Sequence, residues 1–376
     1  MADRALQGTR VIDLSDSAAG AWCSRLFADL GADVVMVEAP GGHPLRHLGP
    51  FDTTGRSIPA AYFLANRRSV RLDLERAADA AIALELGRQA DVVVSNFGPA
   101  RLARLGLRYA DFDSPSLVMV HVTPWGMTGE LADAPGNDLA VAARSGWASI
   151  NGDADREPLK PSGWQSSHCA GVAAFTAAVA ALRARDALGA GGQEVDIAAV
   201  EVMAAAFAPA VLRAQYTGHA QGRRKEPDLL AGPVPVADGH FALTISRAHF
   251  WRDAMNLLGL HDLADDSRWD AGWYRQAHKD EYVGRVQAAM RAWPKWRLFD
   301  ELAMRRVVAG PVVTMEELVN SEHLAARGGW RRPADDPGAP LQPGPAFRMS
   351  ATPATLDRRA PRPGEHGDDV LREVLR

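Results

Sequence analysis

The sequence predicts an α/β fold: a doubly wound, Rossmann-like large domain with a smaller α+β domain. Short β-branched runs alternate with helix-period segments through the first third of the chain. The length, 376 residues, exceeds one typical domain of about 150. A polar, charged, Gly- and Pro-containing stretch at 217–232, "TGHAQGRRKEPDLLAG", then breaks the pattern.

"RVIDL" (10–14) reads as a strand, and residues 18–32 as a helix ending at Gly31. "DVVMVEAP" (33–40) is a strand stopped by Pro40. "SVRLDL" (69–74) alternates as a strand does, and 75–90 is an Ala/Glu/Arg-rich helix. "DVVVSNF" (91–97) is a further strand, with a short helix after Pro99. Residues 116–126 form a strand closed by Pro124 and Gly126. Strands this apolar are buried on both faces, which means a mostly parallel sheet covered by helices. Residues 168–183, "HCAGVAAFTAAVAALR", form a helix apolar nearly all round, hence buried on most sides. A glycine turn, a strand and another Ala-rich helix follow over 189–212. The expected division is 1–216 for the first part of the large domain, 217–232 for a linker and 233–320 for the small domain. Residues 321–376 return to the large domain as a Pro/Gly-rich segment.

The balance of 42 Lys+Arg against 46 Asp+Glu gives a net charge of −4, with no broad cationic field for nucleic acid. Hydrophobic residues at 47% argue against a disordered chain. No membrane-spanning run is expected, and the opening "MADRALQGTR" lacks the apolar core of a signal sequence. Two cysteines, Cys23 and Cys169, make neither a disulfide framework nor a metal site, so a reducing, cytoplasmic setting is expected. His43 and His47, four apart without a third ligand, read as loop histidines, and no metal is expected.

Ligands of such sheets sit at the carboxyl ends of the strands, here the loops after Leu14, Val37, Val94 and Val122. The dinucleotide fingerprint G-x-G-x-x-G is absent from the first turn, which reads Ser15-Asp16-Ser17-Ala18-Ala19-Gly20. Arg46, Arg67, Arg68, Arg71, Arg101 and Arg104 lie in or after strand-end loops. Guanidinium groups there suit a phosphate-bearing ligand. Arg71, inside a strand, reads more simply as a surface residue.

Five strings recur in order: "FADLGADVVMVEAPGG" (27–42), "NRRSVRLDL" (66–74), "ADVVVSNFGPARLARLGL" (90–107), "HVTPWGMTGELADAPGNDL" (121–139) and "GPVVTMEELVNSEHLAARGGW" (310–330). Together they resemble the class III CoA-transferase family, which includes formyl-CoA and carnitine CoA-transferases and α-methylacyl-CoA racemases. The resemblance implies two subunits threaded as interlocked rings. It also implies coenzyme A or an acyl-CoA as substrate, with a carboxylic acid as second reactant and no permanently bound cofactor. It assigns CoA binding to the loops of Arg46, Arg67, Arg68, Arg101 and Arg104, with Asn96 and Phe97 near the pantetheine and adenine.

The same resemblance exposes a departure. Family transferases attack the thioester with an Asp four residues before a Gly that opens the Ala-rich helix. Counting back from Gly171, that position is Ser167, a hydroxyl that needs a base to become a nucleophile. The racemases' His-Asp pair aligns its His with Asn137, followed by Asp138. Three roles stand open for "Ser-Ser-His-Cys". Ser167 can be a silent helix N-cap. His168 or Cys169 can substitute as base or nucleophile, a thiol at a helix N-terminus having a lowered pKa. Or a carboxylate of the "NGDADREP" turn, Asp153, Asp155 or Glu157, can serve. The expectation is the Asp-lacking subunit of a heteromeric CoA-transferase acting on an organic acid, as a homodimer or beside an Asp-bearing paralogue. The alternatives are an acyl-CoA racemase, isomerase or lyase of altered chemistry, and a non-catalytic acyl-CoA-binding scaffold.

Overall fold

The computed structural model describes residues 4–223, 232–245, 247–345 and 347–374. Half of the expected linker, 224–231, lies outside them. The chain divides into two compact units. The larger takes the chain up to Gly152, Arg156–Arg223 and everything from Ala326; the smaller takes Asp153–Asp155 and the chain as far as Ala325.

In the larger unit the first strand, β1 (Arg10–Asp13), leads through a short loop to helix α1 (Ala18–Asp29) and strand β2 (Asp33–Glu38). Helix α2 (Ile58–Phe63) precedes β3 (Arg68–Arg71), α3 (Ala77–Arg88) and β4 (Val92–Ser95). Then come α4 (Pro99–Leu105), β5 (Val118–Thr123), and helices α5 (Asp138–Arg144) and α6 (Trp147–Ile150). The long helix α7 (Gln165–Leu188) leads to β6 (Gln193–Ala198), α8 (Ala199–Ala206) and α9 (Ala208–Thr217). The six strands form one sheet in the order β3-β2-β1-β4-β5-β6, every pairing parallel. This is the doubly wound fold the sequence predicts.

Successive side chains of a strand point to opposite faces, so each strand feeds two cores. Val11, Val92, Val94, Val118 and Val120 meet Cys23 and Phe27 of α1 and Ala170, Ala174 and Ala178 of α7. Ile12, Val35, Val93 and Met119 meet Ala83 and Leu86 of α3 and Leu102 and Leu105 of α4. Helices α1 and α7 cross closely because Gly171 has no side chain: a Cβ there would lie 2.7 Å from the Ala19 carbonyl oxygen and 2.9 Å from Trp22 Cβ. On length and composition α7 could cross a bilayer, contrary to the expectation that no segment would. Its stripe of Ala170, Gly171, Ala174, Ala178 and Ala181 is buried in the first core, but Val172 and Leu188 are exposed, so the helix is buried along one face and not on most sides as its composition suggests. It starts three residues earlier and ends five later than its apolar run suggests.

The chain from Ala326 closes over the free edge at β3. Asn66 N donates to Arg358 O (3.0 Å), His366 N to Ser69 O (2.9 Å), and Val370 enters the second core. In the smaller unit β7 (Val234–Val236), β8 (Gly239–Thr244) and β9 (Val308–Pro311) form an antiparallel sheet. Trp251, Trp269, Tyr282, Met290 and Leu298 fill its core. Buried Arg275 stacks 5.1 Å from the Trp251 ring and donates to the carbonyls of Trp269 and Asp270.

Candidate active site

The carboxyl ends of β1 and β4 meet at the point where strand order reverses, the crevice such folds use for ligands. Asp13 closes β1 and is fully buried. Its Oδ1 accepts from Ser15 N (2.9 Å) and Ser15 Oγ (2.6 Å), and its Oδ2 from Arg67 Nη1 (2.7 Å). Arg67 Nη2 donates to the Phe63 carbonyl (2.7 Å) and to that of Ala21. Burial lowers the Arg67 pKa to about 10, against the pull of Asp13, so it stays charged at neutral pH. With its side chain wholly enclosed, Arg67 cannot meet a phosphate. It is the counter-ion of the β1–α1 loop, a correction to the ligand role expected for it.

Arg68 is also corrected. It opens β3 and pairs with Asp33 (Nη2–Oδ2 2.5 Å), which opens β2, and with Glu373 (2.7 Å). Parallel strands put their first residues on one edge, so Arg68 lies at the end of the sheet opposite the crevice.

The loop after β4 does converge on the crevice. Asn96 Oδ1 accepts from Asp16 N and Asn96 Nδ2 donates to Asp16 Oδ1, both at 2.8 Å. Arg101 Nη1 reaches Asp16 Oδ2 at 3.0 Å, with its guanidinium 3.7 Å over the Phe97 ring. Asp16, Asn96 and Arg101 thus form one partly open polar edge, with the Phe97 ring buried beneath the Arg101 guanidinium. Arg104, more than half exposed, pairs with Glu75. Arg46 is bidentate on buried Glu38 (2.6 and 2.7 Å). Burial would raise the Glu38 pKa, but the bonds from Arg46, Ser69 Oγ and His43 N outweigh it and hold the carboxyl below its ordinary range.

At the N-terminus of α7 the cap residue is Trp164, and its side chain makes no capping bond. Ser167 is therefore not the N-cap expected of it; it stands inside the first turn. The acceptor comes from another helix: Asp138 Oδ1 takes Ser167 N (2.9 Å) and Ser167 Oγ (3.0 Å). Asp138 is itself the first residue of α5, behind Asn137, whose Oδ1 caps that helix through Ala140 N (3.0 Å). Asp138 Oδ2 is buried without a hydrogen bond, 3.8 Å from Lys160 Nζ.

His168 Nδ1 lies 2.8 Å from the Trp164 carbonyl. A carbonyl only accepts, so the proton sits on Nδ1 and Nε2 keeps its lone pair. The ring packs against Trp22 (4.9 Å) and Phe63 (5.0 Å). The thiol of Cys169 is pushed up, first by burial and then by the Asp138 charge, which corrects the lowered pKa expected at a helix N-terminus. Asp153, Asp155 and Glu157 are exposed.

Sequence reasoning missed the aromatic wall of Trp22, Tyr62, Phe63 and Trp164, and it missed Asp16. The wall has no local signature, since its members come from three segments. Asp16 could have been found as the acidic residue of the first strand-end loop.

A strand-end crevice with guanidinium donors beside a helix N-terminus suits an acyl thioester of a phosphorylated carrier. The profile of CoA-transferase family III matches residues 6–367. The chain belongs to this family. The Agrobacterium fabrum succinate–glutarate CoA-transferase is 33% identical over 98% of this chain and 95% of the relative. Subunit BbsE of the Thauera aromatica succinyl-CoA:(R)-benzylsuccinate CoA-transferase is 31% identical over 97% of this chain and 93% of its own length. A CAIB/BAIF family protein from Brucella suis superposes with a TM-score of 0.88 at 27% identity, covering 99% of this chain and 100% of the other. Within the class III family frame, Ser167 is the position to explain.

Proposed function

We propose that the chain is the Asp-lacking subunit of a heteromeric CoA-transferase that moves CoA between organic acids in a reducing, cytoplasmic setting. CoA lies along the edge made by Asn96, Phe97, Arg101 and Arg104, with its thioester directed to the N-terminus of α7. The observation that carries the reading is Ser167. Its hydroxyl is tied to Asp138, so it offers no ionised oxygen of its own where the family nucleophile is expected. Relatives support the assembly: one is named subunit BbsE, and another the beta subunit of the Chloroflexus aurantiacus succinyl-CoA–L-malate CoA-transferase, 28% identical over 98% of this chain and 94% of that relative. The names in this set speak of succinate, glutarate, citramalate and malate, which supports an acid of the dicarboxylate class.

The test assays the chain with succinyl-CoA and glutarate, alone and with an Asp-bearing paralogue. Transfer only in the mixture supports the reading; full transfer by the lone chain defeats it. Sedimentation is expected to give an interlocked dimer that does not part on dilution. A stable species of single-chain mass refutes the assembly.

A second reading has one specific observation behind it. His168 sits one residue after Ser167, and with Nδ1 held by the Trp164 carbonyl its neutral ring keeps a lone pair on Nε2, the equipment of a general base. An isomerase acting on an acyl-CoA would use it. Solvent deuterium entering the α-carbon of an acyl-CoA, lost in His168→Gln, separates this from the first reading.

A further inference from the structure

A cavity of about 600 Å³ opens in the larger unit, and none of Asn96, Phe97, Arg101 and Arg104 lines it. Residues 46–62 form one part of its lining and the C-terminal segment the other. Each supplies two arginines, Arg46 and Arg56 from the first and Arg359 and Arg362 from the second. Between them lie apolar surfaces, Ala60, Ala61 and Ala360 among them, and the ring of Tyr62. Asp52 and Asp336 also line it, but the Asp52 carboxylate is consumed by its own turn, accepting from Thr54 N, Thr54 Oγ1, Arg56 N and Arg56 Nε.

The guanidinium donors are not all spent. Arg46 uses Nε and Nη2 on Glu38 and keeps Nη1. Arg56 commits only Nε. Arg359 is taken up by Glu365 and the Ala360 carbonyl. Arg362 hydrogen-bonds to Glu365 through its backbone N–H and carbonyl, and its guanidinium has no partner among the described residues. Gln342, also lining the cavity, has its Oε1 buried without a donor. A ligand carrying anionic groups on a short apolar spacer answers the unsatisfied N–H donors from two segments and the apolar floor, while Gln342 Oε1, an acceptor, gains no partner from it.

The cavity also backs onto the candidate active site through ring contacts. Tyr62 stacks on Trp22 at 5.5 Å, and Trp22 meets the His168 ring at 4.9 Å. The rings of Tyr62 and Trp22 stand between an anion seated against Tyr62 and the first turn of α7.

We propose that this cavity binds the free dicarboxylate reactant, separately from CoA. The inference rests on the CoA-transferase reading and adds where the acid docks. The test is calorimetry on the full-length chain with glutarate, and separately with CoA, for the wild type, for Arg56→Ala/Arg362→Ala and for Arg101→Ala. Neither Arg56 nor Arg362 holds the fold: the first is an exposed turn residue and the second is unpaired. Expected is saturable glutarate binding, weakened about tenfold or more in the double variant, with CoA affinity unchanged there. Unchanged glutarate affinity in the double variant overturns the proposal, and so does the absence of saturable glutarate binding in the wild type. The Arg101→Ala arm reports on the CoA reading by itself: unchanged CoA affinity there defeats that reading and leaves the glutarate comparison to stand or fall on its own.

Discussion

Replacing Ser167 by Asp is the direct way to ask whether a missing carboxylate is all that this chain lacks, and the structure says the substitution alone will meet a penalty. Ser167 Oγ lies 3.0 Å from Asp138 Oδ1, and the Asp138 side chain is only 9% exposed. A carboxylate grown from position 167 faces the existing one at about 4 Å, where two unit charges repel by about 4 kcal/mol at an effective dielectric constant near 20. Lys160 Nζ, 3.8 Å from Asp138 Oδ2 and partly exposed, screens some of this. Ser167→Asp should therefore cost roughly 2–4 kcal/mol at pH 8. The pair holds one proton longer than an unfolded chain does, so its apparent pKa is raised on folding. The penalty is absent below the unfolded carboxyl value near 4 and grows as the pH rises towards the raised value. Asp138→Asn should relieve it, because an amide still accepts from the backbone N–H of residue 167 and donates to the new carboxylate. Urea unfolding at pH 5 and pH 8 reads the stability, and succinyl-CoA:glutarate exchange reads the chemistry. Expected is gain of exchange by the lone chain in Asp138→Asn/Ser167→Asp, with the single variant less stable at pH 8 than at pH 5. A single variant as stable as wild type at pH 8 would refute the electrostatic reasoning.

Arg67→Ala leaves Asp13 buried and unpaired, a loss of about 3–5 kcal/mol; urea midpoints check it, and an unchanged midpoint would show that the pair is not structural. Arg101→Ala and Arg104→Ala should each weaken CoA binding by about 1.5–3 kcal/mol in calorimetry with little change in stability; equal affinities would remove the assigned edge. Gly171→Ala forces a methyl against the Ala19 carbonyl and Trp22, and thermal unfolding should show a loss of about 1–3 kcal/mol. Burial lowers the His43 pKa from 6.5 to about 4. The unfolded chain therefore binds that proton first, and stability falls as pH drops from about 6.5 to about 4. His43→Asn keeps a capping acceptor for Leu45 N and should flatten that slope in pH-dependent unfolding; an unchanged slope assigns it elsewhere.

Much of the fold was legible because its determinants are local. "DVVMVE" and "DVVVS" can bury both faces only in the middle of a parallel sheet, and they became β2 and β4. The loop after β4 was legible for the same reason: topology sends strand carboxyl ends to the crevice, and Asn96, Phe97 and Arg101 arrived together there. Arg67 and Arg68 were not legible. Adjacent and chemically identical, they are sent apart by the backbone. The side chain of Arg67, ahead of the strand, turns under α1 to Asp13. Arg68, the first strand residue, is held at the opposite edge of the sheet by Asp33 and Glu373. Cys169 failed for another reason: a helix N-terminus lowers a thiol pKa only where burial and neighbouring charge allow, and here both act the other way.

The Asp138–Ser167 contact spans 29 positions and bears on how a chain of this family can lack the Asp and still fold. The stronger part of the link is the backbone N–H of residue 167 donating to Asp138 at 2.9 Å. Every residue except proline supplies that donor, so the first turn of α7 keeps this bond with any uncharged side chain at 167. Gly171, which sets the approach of α1 to α7, is equally indifferent to that side chain. The two devices that build the N-terminus of α7 are thus independent of the atom that would do the chemistry. A hydroxyl can replace a carboxylate at 167 without loosening the helix, the aromatic wall behind it or the Arg101 edge. On the reading proposed above, a division of labour between a binding subunit and an Asp-bearing one requires no rebuilding of the fold.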